Sequence, residues 1–219
     1  MARPDAPKSS GDSPQRPLNR ERILDGAVAL IEAEGPTSLS MRRLGSRLGV
    51  EGMSIYHHFA NRDALLAAIG DRLLAPLQTV ALGDEWRDAC RRFATALRGL
   101  AVAQPATFRL LGLAPLDSPA ALAPVENLLG VLVAAGFSAP AALGVYRAVV
   151  SYSRGYALAE ATGFTVDAAQ DMGRRRLAAL SPSEFPILAG RARELAELDA
   201  DSGFMQGLEA LLRGLDDPA

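Results

Sequence analysis

A chain of 219 residues can bury a substantial core in one or two domains, and a composition that is 49% apolar but only 5% aromatic suits Ala- and Leu-rich helices better than sheets. Cys90 stands alone, which excludes an intramolecular disulfide and a cysteine-based metal site and fits a reducing cytoplasm. The formal net charge of -2 hides an asymmetry, because between Leu39 and Arg62 the arginines 42, 43, 47 and 62 face one acid, Glu51, whereas the rest of the chain is acidic. Lys8 is the only lysine, so nearly every cation is a guanidinium, the group that forks onto phosphates and guanine edges.

Residues 1–17 are polar and proline-rich, without the hydrophobic run of a signal peptide or anchor, and are expected to form a disordered tail. No segment reads as membrane-spanning. Asn19 is placed to cap a first helix in which Ile23, Ala27, Leu30 and Ile31 follow the i, i+4, i+7, i+8 pattern, and Gly35-Pro36 ends it. Ser40 caps a second helix whose Met41, Leu44 and Leu48 share one face. Gly49 stops that helix where a positive φ is needed, and a third helix follows with Ile55 and Phe59 four apart. Asn61 caps a fourth, through Leu65, Leu66, Ile69 and Leu73. A short helix, a glycine turn and a second short helix thus share a small core, while Ser54, Tyr56 and the pair His57–His58 remain to donate hydrogen bonds or to stack.

The break at 82–84 divides this basic module, 18–80, from a longer helical body, 81–219, and predicts an all-α protein. Helices are expected there at roughly 84–103, 105–111, 118–135, 139–163, 167–180, 182–198 and 201–215. The helix at 139–163 carries few charges, Arg147, Arg154 and Glu160, among many small residues, the pattern of a helix packed on more than one side. The last helix bears a wide stripe of Phe204, Leu208, Leu211, Leu212 and Leu215. Packing within the chain could cover both; a four-helix, two-fold interface with a second copy is the favoured expectation.

The block "LNRERILDGAVALIEAEGPTSLSMRRLGSRLGVEGMSIYHHFANRDALLAAI" resembles, along its whole length, the DNA-binding domain of the tetracycline-repressor (TetR) family. The joint "AGFS" and the final "FMQGLEALLRGL" resemble the C-terminal domain of the tetracycline-repressor branch. The resemblance implies three helices forming a helix-turn-helix domain, joined by a fourth helix to a ligand-binding and dimerisation domain. It puts Arg42 where members reach a base, with Ser40 and Met41 beside the phosphate. Gly52, Met53 and Ser54 open the recognition helix, Tyr56, His57 and His58 match an aromatic cluster that touches phosphates and thymine methyls, and Arg62 replaces the family's usual phosphate-gripping lysine. Gly52 departs from the pattern by offering no side chain there, which shifts discrimination onto Arg42 and residues 53–57.

The same resemblance implies a double-stranded, palindromic operator, a homodimer and a small-molecule effector bound by the second domain. Phe93, Leu97, Phe108, Leu111, Tyr146, Val150 and Met172 are the residues expected to line its pocket, with Arg109 and Asn127 as polar anchors. Tetracycline-binding members hold the drug's magnesium partly through a histidine of this domain, but both histidines here lie in the basic module, so an apolar or amphipathic effector without metal is expected. No cofactor is implied, and no Ser/His/Asp order, phosphate loop or paired-carboxylate metal pattern points to an enzyme. A DNA-binding dimer without an effector, and a non-specific architectural binder, are the competing readings.

Overall fold

The computed structural model describes residues 17–111, 117–162, 171–195, 197 and 199–215, and among them every regular element is helical. Of the tail expected over 1–17, all but Pro17 lies outside the described residues. Helix α1 spans Arg20–Glu34 and α2 spans Met41–Leu48; α3, Gly52–Tyr56, and α4, Arg62–Leu74, follow. The expected caps form: the side chains of Asn19, Ser40 and Asn61 accept hydrogen bonds from the N–H groups of Arg22, Arg43 and Ala64, satisfying donors that a helix start leaves free. Gly49 ends α2 at φ 70 and donates to the carbonyls of Gly45 and Ser46. The third helix is only five residues long, so His57 and His58 fall in the turn after it rather than on the helix. Ile23, Ala27, Leu30, Ile31, Leu44, Ile55, Phe59, Leu65 and Ile69 build one buried apolar cluster from these four helices.

A 3-10 turn, Ala75–Thr79, leads from α4 to α5, Trp86–Ala103. Helix α6 spans Pro105–Leu111, α7 Pro119–Ala134, α8 Ala139–Thr162, α9 Asp171–Ala178, α10 Ala192–Leu195 and α11 Ala200–Arg213. Helices α5, α7, α8 and α11 enclose a second apolar cluster around Phe93, Leu97, Leu128, Leu132, Val149, Phe204 and Leu208. Pro124 lies inside α7, where its ring displaces the bond to the carbonyl of Ala120. Gln78 supplies the missing donor, its Nε2 lying 2.9 Å from that oxygen.

The helix expected at 182–198 does not form. Prolines 182 and 186 lack the N–H groups a continuous helix needs, and the chain instead makes successive turns in which Phe185 donates to Ser181 and Ala189 to Phe185, leaving α10 as the helical part among the described residues there. The stripe on α11 is partly used within the chain. Phe204, Leu208 and Leu212 are buried within the chain, Phe204 stacking on Tyr152 with ring centroids 5.5 Å apart, while Leu211 and Leu215 stay half-buried. Two arginines of α5 fasten α11 in register: Arg91 forks onto Glu209, and Arg98 forks onto Glu160 of α8 while reaching Asp201 at 2.7 Å.

Cys90 is wholly buried in the second cluster, and burial pushes its thiol up to about 12. At pH 8 only roughly one thiol in ten thousand would then be ionised, so the native protein is expected to resist an aromatic disulfide reagent that titrates one thiol per chain in denaturant. Rapid reaction of the native protein would contradict this burial.

Candidate nucleic-acid interface and ligand cavity

Helices α2 and α3 approach so closely that a Cβ added at Gly45 would lie 2.9 Å from the backbone nitrogen of Gly52 and the carbonyl oxygen of Val50. Two arginines of α1 hold the pair from beneath. Arg22 donates to the carbonyl of Leu48 at 2.9 Å, and Arg20 donates to the carbonyl of His58 with its guanidinium 4.1 Å over the Phe59 ring. Neither arginine was among the residues expected to matter. Their signal in the sequence is weak, because two charges near a helix start resemble any solvated face.

With Ile55 and Phe59 turned inward, α3 presents the opposite face to solvent: Met53 is 69% exposed and Tyr56 44%, values no core residue would show. His57 is exposed beside them and His58 and Ser54 are partly so, while Gly52 rests against the backbone of α2 at Met41 and Arg42. Arg42 is exposed, and its guanidinium makes no hydrogen bond or ion pair with any described residue. Its neighbours differ: Arg43 pairs with Glu34, and Arg47 comes within 4.0 Å of the same carboxylate. The basic cluster legible in the sequence therefore contains one guanidinium fully available to a partner and two partly neutralised. Arg62 is exposed at the start of α4 and gives its Nε to the carbonyl of Leu39 at 3.2 Å.

Two of the residues expected beside the phosphate also serve the fold. The side chain of Met41 is buried in the core, so only its backbone lies at the surface edge of α2. The hydroxyl of Ser40 accepts from the N–H of Arg43, which makes it a helix cap first.

In the second cluster, a narrow cavity of about 10 Å³ is walled by Leu74 at the end of α4, Leu77, Phe93 and Leu97 of α5, Ala121, Pro124 and Val125 of α7, and Tyr146, Val150 and Arg154 of α8. Four of the expected lining residues, Phe93, Leu97, Tyr146 and Val150, meet there. Phe108 does not; it is fully buried among its neighbours. Arg109 and Asn127, the expected anchors, are exposed, and Asn127 reaches the carbonyl of Gln78 instead. The side chains of Leu111 and Met172 lie outside the described residues. The polar group that the cavity does hold is Arg154, which the spacing could have revealed, since Tyr146, Val150 and Arg154 recur every four residues on one face of α8.

Two helices join the second cluster to the first. Leu65 and Ile69 of α4 belong to the core of the helix-turn-helix, and Leu74 of the same helix lines the cavity. Helix α6 places Ala106 in the first cluster and Phe108 in the second. Glu32 of α1 binds its start, accepting from the backbone N–H groups of Ala106 and Thr107 at 3.2 and 2.7 Å and from the Thr107 hydroxyl at 2.6 Å.

Comparisons with known proteins agree with this architecture. Residues 23–69 match the model of bacterial regulatory proteins of the tetR family, and residues 80–218 match that of the tetracyclin repressor-like C-terminal domain. An HTH-type transcriptional regulator of Saccharopolyspora erythraea is 31% identical over 208 residues, 90% of this chain and 84% of the relative. The class D tetracycline repressor protein of Escherichia coli is 29% identical over 205 residues, covering 91% of this chain and 89% of its own length. The crystal structure of ActR from Streptomyces coelicolor in complex with actinorhodin superposes with a TM-score of 0.69 at 27% identity, covering 91% of this chain and 97% of that one. With both halves matched and the exposed recognition helix and second helical cluster in place, the chain belongs to the TetR family of transcriptional regulators.

Proposed function

We propose that the protein is a ligand-released repressor, in which residues 18–80 read a palindromic operator and residues 81–219 dimerise and hold a small, apolar or amphipathic effector. Arg42 would take guanine O6 and N7 together, a pairing worth ~1–3 kcal/mol of discrimination, and Met53 would pack on a thymine methyl. Tyr56, His57 and Arg62 would contact phosphates, along with the backbone at the start of α2, and so set register rather than sequence. Two copies would set their recognition helices ~34–36 Å apart, one turn of DNA.

The observation that carries the regulatory part is the course of α4, which runs from the core of the helix-turn-helix to the cavity wall at Leu74. At about 10 Å³, room for roughly one water, the closed cavity falls far below the ~300–1,000 Å³ typical of small-molecule sites. An effector must therefore push its walls apart, and the state with displaced α4 binds it better. Operator affinity falls to the extent of that preference. A thermal-shift screen against a compound library tests this, since each compound that raises the melting temperature is expected to weaken operator binding. Hits that leave operator affinity unchanged would refute release, and hits that tighten it would reverse its sign.

Dimerisation is assigned to the outer face of α8, supported by α11. Gly144, Ser151 and Gly155 are exposed along that face, and a Cβ added at either glycine would meet nothing within 4 Å, so a second helix could approach closely. Ser151→Arg would bury an unpaired charge in such an interface. It is expected to convert a dimer to a monomer in light scattering with unchanged helical content, and to weaken operator binding by roughly 10²-fold or more through lost bivalency. A variant that remains dimeric would move the interface elsewhere.

A further inference from the structure

Arg154 has no counterpart among the other cations of the second cluster. Arg91 and Arg98 are each forked onto a carboxylate, whereas Arg154 makes no hydrogen bond or ion pair with any described residue, and its Nε is buried without a partner. Its surroundings on the cavity wall are Leu74, Leu77, Phe93, Tyr146 and Val150, none of which can neutralise it. Arginine remains charged in proteins, so the free protein holds a half-buried guanidinium at an apolar wall, its Nε shut off from solvent with no acceptor. Burial is indeed the largest influence on this group and pulls its pKa down. A buried donor left without an acceptor is costly, and such exceptions call for a ligand that completes them.

We infer that the effector is an amphipathic organic acid whose carboxylate pairs with the guanidinium of Arg154 while its apolar body lies between α5 and α8 toward Tyr146. This rests on the reading of the cavity as the effector site. Tyr146 and Arg154 are two helical turns apart on one face, a rise of ~12 Å, the length of two or three fused rings. Phe93 meets Tyr146 edge-on with centroids 6.2 Å apart, which gives the far end an aromatic wall. Burial pushes the Tyr146 phenol up, so it remains a neutral donor beside a bound ring. The bidentate geometry of a guanidinium suits a carboxylate better than a lone carbonyl.

The test uses the full chain and matched pairs of probes: benzoate, 2-naphthoate and anthracene-2-carboxylate, each against its neutral primary amide. At least one acid is expected to raise the melting temperature and bind tenfold or more tightly than its amide. Arg154→Met should erase that difference and leave the free protein as stable as the parent or more so, because it removes an unpaired, half-buried charge and its unsatisfied Nε donor. Arg154→Lys, which keeps the charge without the fork, should retain part of the preference and serves if the methionine variant fails to fold. Equal binding of acid and amide, no binding of any probe, or a free Arg154→Met protein that melts well below the parent would each overturn the inference, the last by making the guanidinium a structural element. Operator binding is read alongside. If acids bind through Arg154 without weakening it, the ligand assignment stands and ligand release falls; if no probe binds while operator binding persists, the ligand assignment falls alone.

Discussion

Gly45→Val is expected to abolish operator binding while leaving the second helical cluster folded. Even a single Cβ at this position would sit 2.9 Å from two backbone atoms and 3.0 Å from the Cα of Gly52, and backbone cannot rotate aside as a side chain can. Helix α3 must therefore lift from α2, taking Met53 and Tyr56 out of register with Arg42. Overpacking of this kind costs ~1–3 kcal/mol or more, a large part of the small margin that a four-helix unit can hold. Anisotropy with a labelled operator should show a loss of at least ~10²-fold, and circular dichroism only a modest loss of helix, since most of it lies beyond residue 80. Gly70→Ala is the control: nothing lies within 4 Å of its added Cβ, and an interior helix position should gain up to ~1 kcal/mol. Wild-type affinity in Gly45→Val would contradict the close approach of the two helices.

Glu32→Ala should separate operator binding from its regulation. The carboxylate satisfies two backbone donors at the start of α6 and the hydroxyl of Thr107, a residue with no exposure at all. Its removal leaves buried donors without an acceptor, which costs ~1–3 kcal/mol and lowers the melting temperature by several degrees. The functional consequence follows from position. With α6 released from α1, one of the two helical links between the clusters is cut, and a compound that releases the wild-type protein from its operator should release this variant at least ~10-fold less effectively. Operator affinity without compound should change little, because no residue of the α2–α3 surface is touched. Equal release in both proteins would leave α4 as the only coupling element.

Local chemistry made the first four helices readable from sequence. Asn19, Ser40, Asn61 and Gly49 act through groups within three or four residues of themselves, and the apolar periodicity of α1 and α4 fixes which face is buried. The exposure of Tyr56 followed from its place between Ile55 and Phe59 on a helix. What escaped notice depends on distant partners. Gly45 in a helix interior signals only an unfavourable propensity until Gly52 is seen against it, and Glu32 is one more surface acid until α6 is placed on α1. In the second cluster, Arg109 and Asn127 were assigned as anchors from residue type alone, whereas the spacing of Tyr146, Val150 and Arg154 marked the residue that faces the cavity. Pro182 suits the first position of a helix, but Pro186 stands where a continuing helix needs a donor.

The central claim, that two copies of the α2–α3 surface read one palindromic operator, is most directly tested by selecting bound sequences from a random duplex pool. The purified protein would be used at near-physiological salt, beside Arg42→Ala and Tyr56→Ala. The account predicts enrichment of one inverted repeat by the wild type, its half-sites about one helical turn apart, with enrichment lost at the position read by Arg42 in the first variant and weakened overall in the second. Binding that enriches no motif and falls only with salt would contradict it, leaving a basic surface that holds DNA without reading it.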